Sequence, residues 1–358
     1  KSVEMIDAIN VHVGDNDEGN ADVLKNSRGN TQIVFASGSD LPSGTNTVVG
    51  SGLNVEKSEV LFAVHNSSGN HSIYHYSTQS NQLKLVYRDS VLGFTASSFV
   101  KFDFIVKENG DTLAYFTDGV TDPKKINVTK ALLGTGYPYK LSGGYNYTDD
   151  EKLVCITTAK QPPLDSPTLS FTNVANQDNF VYDEYFQFAY QYVYEDGEVS
   201  ALSPYSEIGV NVYQLLDGYI TESAKDLFNA INVTVKHSRA DVSKIRLLAK
   251  SADTLGFFVA DEIANNRAST TSVITFTNSK LRSYISSIEQ NKMYDNVPQK
   301  ANAQAISGNR LMFGGYTEFY NGVSTNVSIT EINNPEGQSK YISVNPTTGS
   351  IKYYNPSG

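Results

Sequence analysis

The 358 residues carry a formal net charge of −10, with 39% hydrophobic and only 18% charged residues, and 23 Tyr and 17 Phe beside 3 Met and no Trp. The acidic balance excludes a general phosphate-binding surface, because nucleic-acid affinity rests on Lys and Arg meeting backbone charge. The length points to two or three units with separate cores. No apolar run approaches the roughly 18 residues of a membrane-spanning helix, and Lys1-Ser2-Val3-Glu4 lacks the apolar core of a signal peptide, so a soluble chain is expected.

Aromatic and β-branched side chains suit a pleated, half-buried surface, and a period of two fits this chain where a helical period fails. Near the start, Asp15-Asn16-Asp17-Glu18-Gly19-Asn20-Ala21-Asp22 alternates oxygen side chains as a calcium loop does. It departs from the EF-hand template, since its glycine falls one place early and no Glu stands twelfth, so a solvated loop is expected and any calcium site would be weak.

A weak internal repeat follows. Val60-Leu61-Phe62-Ala63-Val64-His65-Asn66 is echoed by Thr112-Leu113-Ala114-Tyr115-Phe116-Thr117-Asp118, each with a strand-like run before it and a short strand holding Ile73 or Ile126 after it. The spacing approaches that of a propeller blade. Thr45 to about Asp89 is read as one four-stranded blade and Phe99 to about Lys130 as part of the next. Asn66-Ser67-Ser68-Gly69, Glu108-Asn109-Gly110 and Asp118-Gly119 are the turns between these strands. Asp149-Asp150-Glu151 reads as a hydrophilic turn before a strand, Leu153-Val154-Cys155-Ile156, whose lone cysteine is a buried, inert thiol.

Gln161-Pro162-Pro163-Leu164-Asp165-Ser166-Pro167 has the composition of a linker. Beyond it Tyr185 to Tyr194 alternates Phe186, Phe188, Tyr190, Tyr192 and Tyr194 on one face with Gln187 and Gln191 on the other, then turns through Glu195-Asp196-Gly197-Glu198 into Val199-Ser200-Ala201-Leu202-Ser203-Pro204. The best helical stretch is Ser223 to Ala230. Alternating runs at Ile231/Val233/Val235, Ile245/Leu247/Ala249 and Val273 to Phe276 complete the pattern of a two-sheet sandwich. After Asn296-Val297-Pro298 a third segment opens, with Asn309 to Tyr316 as its first strand.

Motifs for chemistry are missing. There is no Gly-x-Ser-x-Gly elbow, Walker loop or dinucleotide fingerprint. His12, His65, His71, His75 and His237 form no ligand pattern with cysteine, and His71 and His75 are expected to face solvent. Accordingly no catalytic, cofactor-binding or metal residues are assigned, no cofactor is expected, and the chain is not read as an enzyme.

Three stretches go beyond a generic β-protein. Leu113-Ala114-Tyr115-Phe116-Thr117-Asp118-Gly119 with Pro123-Lys124-Lys125-Ile126-Asn127-Val128 is similar to a stretch found in large tail proteins of crAss-like podoviruses of Bacteroidetes. Tyr192 to Ser206 resembles the same family's hairpin, and Asp295-Asn296-Val297-Pro298-Gln299-Lys300-Ala301 with Asn309-Arg310-Leu311 resembles its junction. Ile6 to Val11 and Leu41 to Asn46 fit its opening.

The resemblance implies a virion structural protein, a tail muzzle or nozzle subunit of a short-tailed phage that forms the distal DNA-exit channel. The implied partners are copies of itself in a homo-oligomeric ring around the tail axis, other tail proteins, and phage DNA in transient passage without specific binding. Members of that family are much longer, so this chain is expected to be a portion of one. The expected fold is all-β: propeller-like blades over 1–160, an inserted immunoglobulin or fibronectin III-like β-sandwich over 165–296, and further strands over 297–358 that return to the propeller. The alternatives are a carbohydrate- or receptor-binding adhesin, because tyrosine is abundant, and a secreted glycoside hydrolase.

Overall fold

A computed structural model describes residues 11–14, 23–26, 33–136, 138–139, 147–181, 184–209, 228–238, 240–254, 256–308, 310–318, 329–333, 341–344 and 351–355. Strand is its main regular structure and helix is scarce, and the strands form several small sheets, none of them closed. The acidic segment 15–22 and residues 223–227 of the expected helix lie outside the described residues, and Ala230 opens a strand. No described helix is long and apolar enough to cross a membrane.

After an antiparallel pair, β1 (Val11–Gly14) and β2 (Val23–Asn26), the chain builds two meanders. The first joins β3 (Val34–Phe35), β4 (Asn46–Asn54), β5 (Glu59–Asn66), β6 (Ser72–Ser77) and β7 (Gln82–Arg88) in the order β3-β7-β6-β5-β4, with β3 parallel to β7. The second is β8 (Lys101–Val106), β9 (Thr112–Thr117) and β10 (Lys124–Asn127) in the order β10-β9-β8. The repeated sequences are β5 and β9, each flanked on both sides, with Leu61 and Leu113 buried and Ile73 and Ile126 buried on the following strand. Both meanders feed one core that includes Leu61, Ile73, Val100, Phe116 and Ile126. Gly50 lets them touch backbone to backbone. A Cβ on Gly50 would lie 2.1 Å from the Val100 carbonyl oxygen, and the Val100 N–H donates to Val49 O at 2.9 Å across the same gap.

His71 and His75 are buried rather than solvent-facing. The β5–β6 turn folds His71 back so that its Nδ1 accepts the Asn66 N–H at 3.2 Å and its ring stacks on His65 with centroids 5.2 Å apart. His75 sits mid-strand in β6, 3.3 Å from Glu59. Burial lowers the pKa of both imidazoles, which matches their packing as neutral aromatic groups.

Two short helices follow β10. Asn127 caps α1 (Val128–Leu133) by accepting the Lys130 N–H, and Gly134 ends it at φ 62°. The expected strand at 153–156 is instead α2 (Asp149–Ile156). The reason lies in Thr148-x-x-Glu151, a capping box in which each side chain accepts the other residue's N–H, with Asp149 and Asp150 favourably placed in the first turn. This helix joins two cores: Ile156 and Leu153 pack with the meanders, and Cys155 and Val154 with the sheets that follow.

Those sheets are β11 (Thr168–Thr172), β13 (Ala230–Lys236) and β16 (Thr271–Phe276) in the order β11-β13-β16, and β12 (Phe186–Tyr194), β14 (Val242–Ser251), β15 (Phe258–Ala264) and β17 (Ser283–Tyr284) in the order β12-β14-β15-β17. Their facing side chains, among them Phe186, Phe188, Tyr190, Val233, Leu247, Ile274 and Phe276, form one buried cluster, as the alternation along β12 requires.

The expected return strand at 199–204 is a strap of a different kind. Ser200, Ser203 and Ser206 donate their N–H groups to the carbonyls of Tyr192, Tyr190 and Phe188. Each serine Oγ in turn accepts the N–H of the same partner, at 3.0, 3.0 and 2.9 Å. The strap thus advances three residues for every two of β12, using side-chain oxygens where a regular strand would present carbonyls. An edge that would otherwise be open is satisfied.

Beyond the short helix α3 (Ser287–Gln290) the first strand of the last segment is β18 (Lys300–Ser307), ahead of the expected one, β19 (Arg310–Thr317). It lies against β8 and β9, where the Gly119 N–H donates to Ala301 O at 3.1 Å and Gln304 Nε2 to Tyr115 O at 2.7 Å. Lys1–Tyr316 form one compact unit and Thr317–Gly358 a second. In the latter, β20 (Ile329–Asn333), β21 (Tyr341–Val344) and β22 (Ile351–Asn355) form a sheet in which β22 is central, parallel to β20 and antiparallel to β21.

Candidate functional site

The tip of the β12 hairpin is where distant parts of the chain meet. Glu195-Asp196-Gly197 is a three-residue loop in which the Gly197 N–H donates to Tyr194 O at 3.0 Å and the Tyr194 N–H to Glu198 O at 2.8 Å. Gly197 takes φ 88°, the left-handed conformation that this loop demands. The tip delivers three carboxylates to a place already holding cations from other elements. Lys125 of β10 reaches Glu198 Oε2 at 2.6 Å and Asp196 Oδ2 at 3.1 Å. Lys130 of α1 lies 3.5 Å from Glu195 and 3.4 Å from Asp196, and Arg267 reaches Glu195 Oε1 at 3.1 Å. Behind them Lys160 sits 3.3 Å from Asp241 Oδ2 and 4.8 Å above the Tyr194 ring.

Four cations therefore face four carboxylates: Lys125, Lys130, Lys160 and Arg267 against Glu195, Asp196, Glu198 and Asp241. The Asn127 amide ties Asp196 Oδ1 at 3.0 Å to Asp111 at 3.2 Å. Burial by itself would raise the Asp196 carboxyl, but the Lys125 ammonium, the Asn127 amide and Lys130 outweigh it and hold the group at about 2. Burial opposes the charge on Lys125, yet Glu198 and Asp196 hold its ammonium above the ordinary lysine value. At Asp241 burial wins, and its carboxyl is raised despite Lys160 and Lys125. Its Oδ1 has no hydrogen-bond partner among the described residues.

Charges so closely matched neutralise one another, as suits a joint between distant elements. The cavity among Lys125, Asn127, Lys130, Tyr139, Cys155 and Asp241 measures about 10 Å³, room for one water. Cys155, beside it, is pushed up to about 12 by burial and by Asp241, so its thiol stays protonated and unreactive. Among the described residues, no group of three His, Cys, Asp or Glu side chains is placed to hold a metal ion. Asp149, Asp150 and Glu151 belong to the first turn of α2, and the histidines of β5 and β6 belong to the meander.

Sequence reasoning read the acidic hairpin only as a turn and did not single out Lys125, Lys160 or Asp241. One signal was available for the lysines: Lys124 and Lys125 interrupt an apolar pattern, and charges there must find partners if they are buried. Both are 2% exposed. Lys124 turns the other way, donating to Thr121 Oγ1 and to Asp122 O. Asp241 carried no such signal.

The stretches of sequence singled out above converge on this joint. Lys125 and Asn127 belong to the first, Tyr194 to Glu198 to the second, and Asp295 of the third accepts the Lys160 N–H at 2.7 Å. Compared with known proteins, the chain matches no family model, and no curated protein is significantly similar to it.

Proposed function

We propose that this chain is a structural subunit of a short-tailed phage tail, part of the muzzle or nozzle that forms the distal DNA-exit channel. The observation that carries the reading is the convergence of the three resembling stretches: residues scattered from Lys125 to Asp295 supply both sides of one buried joint. A chain whose distinctive residues hold its parts together, rather than surround a ligand, is suited to bearing force. In this reading the β4–β7 and β8–β10 meanders are propeller-like blades, β18 is the return of the chain to them, and the β11–β17 body is an inserted sandwich of the immunoglobulin or fibronectin III architecture. Subunits associate head to tail, a heterologous contact that closes into a ring, and the net charge of −10 keeps passing DNA from adhering. Mass spectrometry of purified virions tests this. The polypeptide should be present in stoichiometric, multiple copies and map to the tail in an electron-microscopy reconstruction, and its absence from virions would overturn the reading.

A further inference from the structure

We propose that the Lys160 side chain condenses with the Asp241 side chain to form an intramolecular isopeptide bond, which fastens the segment that follows α2 covalently to the residue just before β14. The two groups are held as reactants. Lys160 Nζ lies 3.3 Å from Asp241 Oδ2, with side chains 2% and 6% exposed. Both backbones are pinned, Lys160 by its N–H donating to Asp295 at 2.7 Å and Asp241 by its carbonyl accepting the Glu195 N–H at 2.8 Å. Preorganisation of this kind turns an intrinsically slow condensation into an effectively unimolecular step.

As an ion pair the arrangement is poor. Two charges taken out of water recover their desolvation cost only when the remaining lone pairs and protons are also satisfied, yet Asp241 Oδ1 has no partner among the described residues. Burial also favours the neutral carboxylic acid, which is the electrophilic form. Glu198 Oε2 lies 3.9 Å from the same Nζ and is the nearby base for the ammonium proton. The step balances as follows. Glu198 takes a proton from the Lys160 ammonium, and the freed amine attacks Cγ of the protonated Asp241. The C–N bond forms as the C–O bond breaks, the hydroxyl leaves as water with a proton from the attacking nitrogen, and the proton held by Glu198 passes to solvent, offsetting the one Asp241 took up on becoming the neutral acid. One ammonium and one carboxylate become one amide and one water, with no oxidant or reductant required. The adjoining cavity of about 10 Å³ accommodates the departing molecule. The charges left behind still match, Lys125, Lys130 and Arg267 against Glu195, Asp196 and Glu198.

Intact-mass spectrometry of the purified full chain under denaturing conditions, followed by protease digestion and fragment sequencing, tests the bond. The expected result is a chain lighter by one water, and a branched peptide in which Lys160 is joined to Asp241. Lys160→Arg, which keeps the positive charge but has no primary amine, should restore the full mass, and Glu198→Gln should leave most of the chain unjoined. Should the wild-type chain keep its full mass and release Lys160 and Asp241 on separate linear peptides, or should the lost water map elsewhere, the two residues form an ion pair only and the proposal is wrong. Because the deciding reading is made on the wild-type chain, poor folding of either variant leaves the outcome clear.

Discussion

Lys125 and Glu198, 73 residues apart in sequence, meet at 2.6 Å, and the lysine is almost wholly enclosed, its side chain 2% exposed. Replacing it removes the closest counter-ion of both Asp196 and Glu198, leaving Lys130 3.4 Å from Asp196 and Lys160 3.9 Å from Glu198. Breaking a buried pair from one side costs about 3–5 kcal/mol, so Lys125→Met should lower the urea midpoint strongly. Lys244→Met supplies the contrast: Lys244 is 57% exposed beside Glu262, and surface pairs contribute under about 1 kcal/mol. Equal effects of the two substitutions would contradict a buried joint.

Asp196 sets an acid limit. Its folded carboxyl titrates at about 2, against 3.8 for the free group. Its contribution is therefore complete above 3.8 and is lost as the pH falls towards 2, a difference of about 2 kcal/mol. Asp241, wherever it remains a free acid, acts in the opposite sense, because its raised pKa makes the folded state take up a proton more readily. Unfolding free energies measured from pH 5 to pH 2 should show the acid slope, and Asp196→Asn should flatten it. A slope unchanged in that variant assigns the effect to other carboxyls.

Two glycines should respond differently to the same methyl group. At Gly197 an added Cβ meets nothing within 4 Å, and the penalty arises from φ 88° alone, about 1 kcal/mol for Gly197→Ala. At Gly50 the added Cβ would fall 2.1 Å from the Val100 carbonyl oxygen, so β4 and β8 must separate, at a cost of about 2 kcal/mol or more. Thermal melts of the two variants check the order.

The serine strap predicts a local effect. Ser203→Ala removes the oxygen that accepts the buried Tyr190 N–H, and an unsatisfied buried donor costs about 1–3 kcal/mol. Hydrogen exchange should accelerate at Tyr190 and its neighbours on β12 more than on β13. Uniform acceleration across both sheets would show that the strap acts only through global stability.

Excision shows how far the sandwich depends on what precedes it. Val154 and Cys155, upstream of the Pro-rich linker, pack into its core, and the Tyr194 hydroxyl donates at 2.5 Å to the carbonyl of Gln161, the first residue of that linker. A fragment starting at residue 148 should melt higher than one starting at 165, both ending at 296. Identical melting would mean that α2 adds nothing to that core.

Much of the architecture was written locally. Alternation places Phe186, Phe188, Tyr190, Tyr192 and Tyr194 on one buried face because successive strand residues point to opposite sides. The repeat of Leu61 at Leu113 marks equivalent central strands, and Gly197 marks its turn because few other residues adopt a positive φ. Thr148 and Glu151 also announced a helix, but the apolar run Leu153 to Ile156 concealed it, since four such residues suit a strand or a buried helical turn equally. Tertiary structure alone decided the rest. Whether Lys125 is solvated or enclosed, whether His71 faces water, and whether Lys160 meets Asp241 at 3.3 Å depend on which surfaces the folded chain brings together across 81 residues. Local propensity contains no term for a partner that distant, and only packing around α2 and the β12 hairpin buries the two groups side by side.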